Sequence, residues 1–421
     1  MSVCRFQEVR RFWEMDRSVR LLLLSEFGLN LGFFMLIPFL TEHLQALGLS
    51  AGMIGLVLGL RNLSQQGLFL IGGALGDRVG YKRVMVIGCF LRTIGFFLFG
   101  FLTSLPGMIT AAFLSGFASA LFTPAMKAYT AYETKKRRSE VFSLSGISSQ
   151  IGALIGPLVG MALLRIGFYA AAYASAMVFF LWGVWLVQTL PNRRGNRDDF
   201  GNTPDDWKQG WKNALTNRPF ILFSLALSGY AVLFNQLYFG LPLEMGRRTG
   251  SNSSAGILFA LSSLLVISGQ TRVASFCKAR WRLPSVISLG LGVMGLSFLP
   301  LVLFPRFQAS NLIWNQLPVL LATALLTLGM MVSFPFVMEM IPLLGKERHL
   351  GIYYGLFYLV WGVGGAIGNL AAGSLFDLSA SLRLEALPST MMILIGGLSA
   401  VGITMLDRRR LLPNPDPPGS D

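Results

Sequence analysis

Long apolar runs recur along the whole chain, each of about 20 residues and each closed by charges or turn residues. A run of that length crosses the hydrocarbon core of a bilayer as a helix, because every backbone N–H and C=O there must be satisfied within the segment. The runs fall near 18–43, 51–76, 82–103, 107–129, 140–165 and 168–190, then near 219–243, 253–276, 284–304, 316–342, 349–375 and 387–406. An all-α membrane protein of twelve transmembrane helices is predicted. Apolar residues make up 53% of the chain and charged residues 13%, and the 47 glycines and 33 phenylalanines suit helices packed closely in lipid.

The net charge of +15 does not point to nucleic acid, because Lys and Arg are not gathered into one domain with interleaved aromatics. They alternate with the apolar runs. Basic residues fill the head of the chain, the turn at 77–83, Lys135 to Arg138, the segment 191–217, Lys278 to Arg282, Lys346, Arg348 and the tail, whereas the intervening turns hold few. Since Lys and Arg favour cytoplasmic loops, both termini are expected in the cytoplasm, with a bacterial inner (plasma) membrane as the setting. The first apolar run exceeds a signal-peptide core and has no small-residue cleavage site after it, so it is expected to remain as the first span. Cys4, Cys89 and Cys277 form neither a disulfide framework nor a metal-site spacing, and no metal or cofactor is predicted.

The runs divide into two sets of six. The expected organisation is a cytoplasmic amphipathic segment at 1–17, an N-terminal six-helix bundle at 18–190, a cytoplasmic linker at 191–217, a C-terminal six-helix bundle at 218–406 and a cytoplasmic tail at 407–421. A weak repeat links the halves. Phe122 and Pro124, a basic loop, then Gly152, Gly156 and Gly160 are matched by Phe334 and Pro335, Lys346 and Arg348, then Gly364, Gly368 and Gly373. Paired six-helix halves with a binding site near the midplane are a transporter architecture.

Three motifs narrow the class. Gly73, Leu75, Asp77, Arg78, Gly80 and Lys82 form a charged, glycine-rich turn between two apolar runs. Gly152, Gly156, Pro157 and Gly160 place glycines four apart on one helix, where a neighbour can approach backbone to backbone, with a proline that loosens the helical ladder. Leu31, Gly32 and Pro38 lie in the first run, and Leu58 to Gly67 carries Arg61, Asn62, Gln65 and Gln66 into the charged turn. The turn resembles the signature loop between helices 2 and 3 of the major facilitator superfamily, and the glycine-proline element resembles its drug:proton antiporter branch. The stretch from Leu58, with Arg92 mid-span, resembles multidrug efflux members of that branch. Tyr81 stands where the family has a basic residue, and Met161 replaces a final glycine. Ala112 and Ser115 stand where the exporter pattern has an arginine and a glutamine before Gly116.

The resemblance implies two pseudo-symmetric six-helix bundles and a gate built from Gly73, Asp77, Arg78, Gly80, Lys82, Gly152, Gly156, Pro157 and Gly160. In the family the acid equivalent to Asp77 sits against the start of the eleventh helix, here near Gly351, where the helix dipole favours an anion. The adjoining arginine pairs with an acid near the fourth span, for which Glu133 is available.

Ionisable groups inside the hydrocarbon are costly and mark function. Glu26 lies well inside the first span, with Asn30 one turn later, and Arg61 and Arg92 are intramembrane cations. Desolvation favours the neutral form of Glu26, and a neighbouring Arg61 or Arg92 favours the charged form, so a change of neighbour moves a proton. Glu26, Arg61 and Arg92 are the expected proton-coupling residues; a fixed ion pair of Glu26 with either arginine is the structural alternative. Glu339, near the end of the tenth span, reads as structural. The expected substrate lining is Asn30, Phe33, Asn62, Gln65, Gln66, Gln150, Tyr230, Asn235, Gln236, Tyr354 and Tyr358, which suits an amphiphile better than a sugar. Arg61 and Arg92 would also suit a carboxylate-bearing compound such as a siderophore.

The leading expectation is export of a drug-type compound or secreted metabolite by proton antiport. Proton-coupled nutrient import and a non-transporting membrane sensor are the alternatives. No nucleophile and base pair is placed, and no phosphate-binding loop exists, so an enzyme is not expected. Partners are the small molecule, protons and membrane lipid, with a monomer as the working expectation.

Overall fold

The computed structural model describes residues 15–49, 51–134, 137–191, 206–238, 240–249, 255–304, 312–382, 384 and 386–413. Residues 1–14 of the expected amphipathic segment, 192–205 of the linker and 414–421 of the tail lie outside them. The described residues form helices and no strand.

The first compact unit comprises residues 1–213 and 347–359. Its helices are α1 (Arg17–Phe34), α2 (Ile37–Ala46), α3 (Ala51–Val79), α4 (Tyr81–Phe101), α5 (Leu105–Glu133), α6 (Arg138–Leu164) and α7 (Phe168–Thr189), with most of α8 (Asp206–Thr216). The second unit, residues 214–346 and 360–421, holds α9 (Arg218–Ala226), α10 (Ser228–Asn235), α11 (Gly240–Thr249), α12 (Ala255–Arg280), α13 (Leu283–Leu296), α14 (Leu299–Leu303), α15 (Leu312–Leu344) and α17 (Leu387–Arg408). The long helix α16 (Leu350–Leu382) gives its first turns to the first unit and the rest to the second.

Eleven helical stretches among the described residues are long and apolar enough to cross a membrane. The twelfth long helix is α3, whose middle carries Arg61, Asn62, Gln65 and Gln66. Two predicted spans are broken where a proline opens a new helix, a position at which its missing N–H costs nothing: Pro38 starts α2 and Pro300 starts α14. Part of the stretch read as linker is helical, since α8 occupies Asp206–Thr216.

Glycines set the helix crossings. A Cβ on Gly152, Gly156 or Gly160 would strike the backbone or Cβ atoms of α1 between Phe27 and Met35, so this face of α6 lies directly on α1. The second unit repeats the device: a Cβ on Gly364 would meet Ser228, and one on Gly368 would meet Val232. Within the first unit, α5 packs along both α3 and α4. Gly72 backs onto the Ala120 carbonyl, Gly88 faces the Ala118 carbonyl, and Gly116 faces Ser64 and the Arg61 carbonyl. Gly80, at φ +105°, turns the chain between α3 and α4 in a conformation that a Cβ would strain.

Candidate functional site: a polar cavity in the first unit

Close packing at small residues brings the helices of the first unit together, and the polar side chains on their inner faces must find partners among themselves. Glu26 is 8% exposed on α1, and its ion-pair partner is Lys127, also 8% exposed, from α5. The Ser145 hydroxyl of α6 donates to Glu26 Oε1 at 2.9 Å and accepts from Lys127 Nζ at 3.3 Å, so three helices meet on one carboxylate. Asn30 donates to the Glu26 backbone carbonyl at 2.8 Å.

These groups line a cavity of about 240 Å³. Its wall includes Glu26, Asn30, Phe33 and Phe34 from α1, Gln65 from α3, Arg92 from α4, Ser119, Phe122 and Lys127 from α5 and Ser149 from α6.

The structural alternative of a fixed ion pair between Glu26 and Arg61 or Arg92 does not hold, because Lys127 is the partner. Arg61 donates to Asn62 Oδ1 at 2.8 Å and Gln65 Oε1 at 3.5 Å, and its guanidinium lies over the Phe33 ring at 5.1 Å. Arg92 donates to Ser119 Oγ at 2.7 Å and lies over the Phe179 ring at 5.4 Å. Lys127 takes the carboxylate because α5 continues to Glu133 and brings the ammonium to the level of Glu26. The sequence did carry the signal: a lysine two residues inside the predicted end of a span reads as one that reaches for the interface. Only the onward course of α5 shows that it turns inward.

Of the expected lining, Asn30, Phe33 and Gln65 share this cavity with Glu26 and Arg92. Asn62 is exposed, and Gln66 is half-buried with its Oε1 unpartnered. Gln150 is half-buried on α6. Tyr354 is fully buried near the Phe142 ring, and Tyr358 rests on Phe69 at 5.3 Å. In the second unit Tyr230 is buried against Trp361 at 4.8 Å, and Asn235 packs on Gly365. Gln236 donates to the Val232 carbonyl at 3.1 Å and lines a cavity of about 10 Å³ with Glu244. Glu339 sits 3.8 Å from Lys278.

The charged turn forms a second polar centre. Asp77 Oδ1 accepts from the Gly351 N–H at 2.9 Å and Oδ2 from the Ile352 N–H at 2.8 Å, at the start of α16. That is where a helix has unsatisfied donors and a positive dipole end. Gly73 and Gly351 touch backbone to backbone, which makes the approach possible. Tyr81 supplies a third bond, its hydroxyl donating to Asp77 Oδ1 at 2.6 Å. Arg78 is exposed and pairs with no acid among the described residues, so the expected bridge to Glu133 is absent. Lys82 donates to the Val187 carbonyl at 2.7 Å. An ion pair that sequence reasoning missed joins a buried arginine to an exposed acid: Arg138, 2% exposed, holds the Glu347 carboxylate through both terminal nitrogens and the Ala131 carbonyl through Nε at 2.9 Å.

Helices long and apolar enough to cross a membrane, with a polar, ion-paired cavity among those of the first unit, are an architecture that membrane transporters use. The chain belongs to the Major Facilitator Superfamily, whose model matches residues 22–369. It is 35% identical over 395 residues to an uncharacterized MFS-type transporter of Mycobacterium tuberculosis, covering 93% of this chain and 94% of that one. It is 30% identical over 384 residues to the multidrug resistance protein MdtH of Yersinia enterocolitica, covering 91% and 92%. Among solved structures the human organic anion transporter MFSD10 (TETRAN) has the same fold, with a TM-score of 0.70 at 15% identity over 93% of this chain and 99% of that one.

Proposed function

We propose that the chain is a proton-coupled secondary transporter that exports small amphiphilic organic compounds by alternating access, with Glu26 as the protonation site. The observation that carries this reading is the Glu26–Lys127 pair in the cavity wall. A buried ion pair is stable closed, and a proton on the carboxylate removes the attraction that closes it. Water admitted to the cavity from one side and then the other turns these two forms into a proton-transfer step. The membrane potential adds about 2.3 kcal/mol per charge per 100 mV to the driving force.

Export by antiport is supported by the Gly156-Pro157 element and by a 30% identical relative named for multidrug resistance. The Asp77 contacts with α16 serve as a gate that holds the cytoplasmic side closed and breaks in the opposite state. The Lys and Arg bias supports cytoplasmic termini in an inner membrane. The linker 191–217 then divides the bundles 18–190 and 218–406. A second reading, uptake together with protons, is favoured by one observation. Arg61 and Arg92 face neutral acceptors rather than acids, and such an excess of positive charge suits an anion.

Everted vesicles energised with a proton gradient test the reading. Compound-dependent proton leak in the wild type that disappears in Glu26→Gln supports antiport at this residue. Equal leak in both removes Glu26 from the coupling, and uptake of compound with protons in the reverse orientation replaces export by import.

A further inference from the structure

We infer that the ligand of the first-unit cavity carries a carboxylate or similar monoanionic group, bound between Arg92 and Lys127, and that it binds together with a proton on Glu26. The second half of this inference rests on Glu26 as the protonation site proposed above and, by making the proton a companion of the ligand, selects the second reading there, uptake together with protons, over antiport; the first half rests on neither.

The argument begins with charge. The cavity wall holds two cations, Arg92 and Lys127, and one acid, Glu26. A third cation, Arg61, contacts the lining residues Phe33 and Gln65. Glu26 forms its ion pair with Lys127 and acts on Arg92 only through space, so the wall keeps one net positive charge. Arg92 has a serine hydroxyl and an aromatic ring, and Arg61 two amide oxygens and an aromatic ring; neither forms an ion pair among the described residues. An uncompensated guanidinium within a membrane is costly, and the planar fork of Arg92 matches a carboxylate. The Phe33, Phe34 and Phe122 rings of the same wall take up an apolar body attached to that anion.

The sign of the proton linkage follows from what faces Glu26. Lys127 reaches it from α5 and Ser145 from α6, while Arg92 from α4, Gln65 from α3 and Ser149 from α6 complete the polar wall. No residue of α7 belongs to that lining. A charged Glu26 competes with the ligand's carboxylate for the Lys127 ammonium, whereas a protonated Glu26 releases it. Anion and proton therefore strengthen each other's binding by the same factor, as linkage requires. A cationic ligand would do the reverse and compete with the proton. Thus an anionic ligand makes the proton a companion, the signature of symport, and a cationic ligand makes it a competitor, the signature of antiport.

The test is binding to the full chain in phosphatidylcholine nanodiscs, which supply no net lipid anion. The probes are 2-naphthoate, 2-naphthamide and 2-naphthylmethylammonium, measured by calorimetry between pH 5.5 and 8.5. The expected result is preference for 2-naphthoate over the amide by at least about tenfold. Its affinity should rise by up to about tenfold per pH unit on acidification, with uptake of one proton. Arg92→Gln should lose the preference while leaving the amide unaffected, and Arg92→Lys should keep it. Glu26→Gln should bind 2-naphthoate without pH dependence. Equal binding of the amide or ammonium, or no binding of 2-naphthoate, overturns the anion assignment. Preference for 2-naphthoate that does not vary with pH in the wild type, or that keeps its slope in Glu26→Gln, overturns Glu26 protonation while the anion site stands.

Discussion

Glu26 and Lys127 stand 101 positions apart in the chain and close one buried ion pair, with the Ser145 hydroxyl bonded to both. Helices α1, α5 and α6 are thereby tied at a single carboxylate. Because the pair is out of water, loss of one member leaves a charge with no compensation.

Lys127→Met is therefore expected to destabilise the protein by about 3–5 kcal/mol at neutral pH. Glu26→Gln combined with Lys127→Met should recover most of the stability. Thermal unfolding of the purified variants at neutral pH measures both.

The α1–α6 crossing predicts sensitivity at its glycines. A Cβ on Gly156 would stand 2.8 Å from the Phe34 Cβ and 2.9 Å from the Leu31 carbonyl oxygen. Gly156→Ala should cost about 1–3 kcal/mol, the usual scale for overpacking. Gly146→Ala on the same helix meets nothing within 4 Å and should be neutral or slightly stabilising. Melting temperatures of the two variants decide it.

At Asp77, the Tyr81 hydroxyl adds a side-chain donor to the two backbone donors of α16. Tyr81→Phe removes one of three donors to the carboxylate and should cost about 1.5–3 kcal/mol, the range for a bond to a charged group. Asp77→Asn should cost more, since one amide cannot accept at both former oxygens. Tyr81→Arg is expected to be worse than Tyr81→Phe, because the site is 2% exposed and its ring is packed between Gly76 and Tyr129. Denaturation midpoints rank the three.

The segment before α16 carries three non-glycine residues in the left-handed region, Lys346 at φ 50°, Glu347 at φ 62° and His349 at φ 48°. Each such residue costs about 1–2 kcal/mol. The Arg138–Glu347 pair helps to hold this geometry, so Arg138→Gln should destabilise, and Glu347→Arg alone should do so more. Lys346→Gly, which touches neither partner, should stabilise by up to about 1 kcal/mol, read from the same unfolding curves.

The sequence by itself determined the class of fold. Apolar runs of bilayer length admit only helices, and the glycine-proline and charged-turn motifs each mark a place where two backbones must touch. Gly152, Gly156 and Gly160 were legible as a packing face from their spacing, although the spacing could not say that α1 is what they meet. The placement of Asp77 opposite Gly351 was also within reach, because a family motif fixes both ends of that contact.

The tertiary structure decided the pairing of charges. Glu26, Arg61, Arg92 and Lys127 each lie on a different helix, and no local pattern ranks the three cations as partners for one acid. Which of them reaches the carboxylate depends on helix rotation and on how far each helix continues before it ends. Those quantities are set by packing summed over many contacts, and they make Lys127, which no motif of the sequence singles out, the buried partner of Glu26.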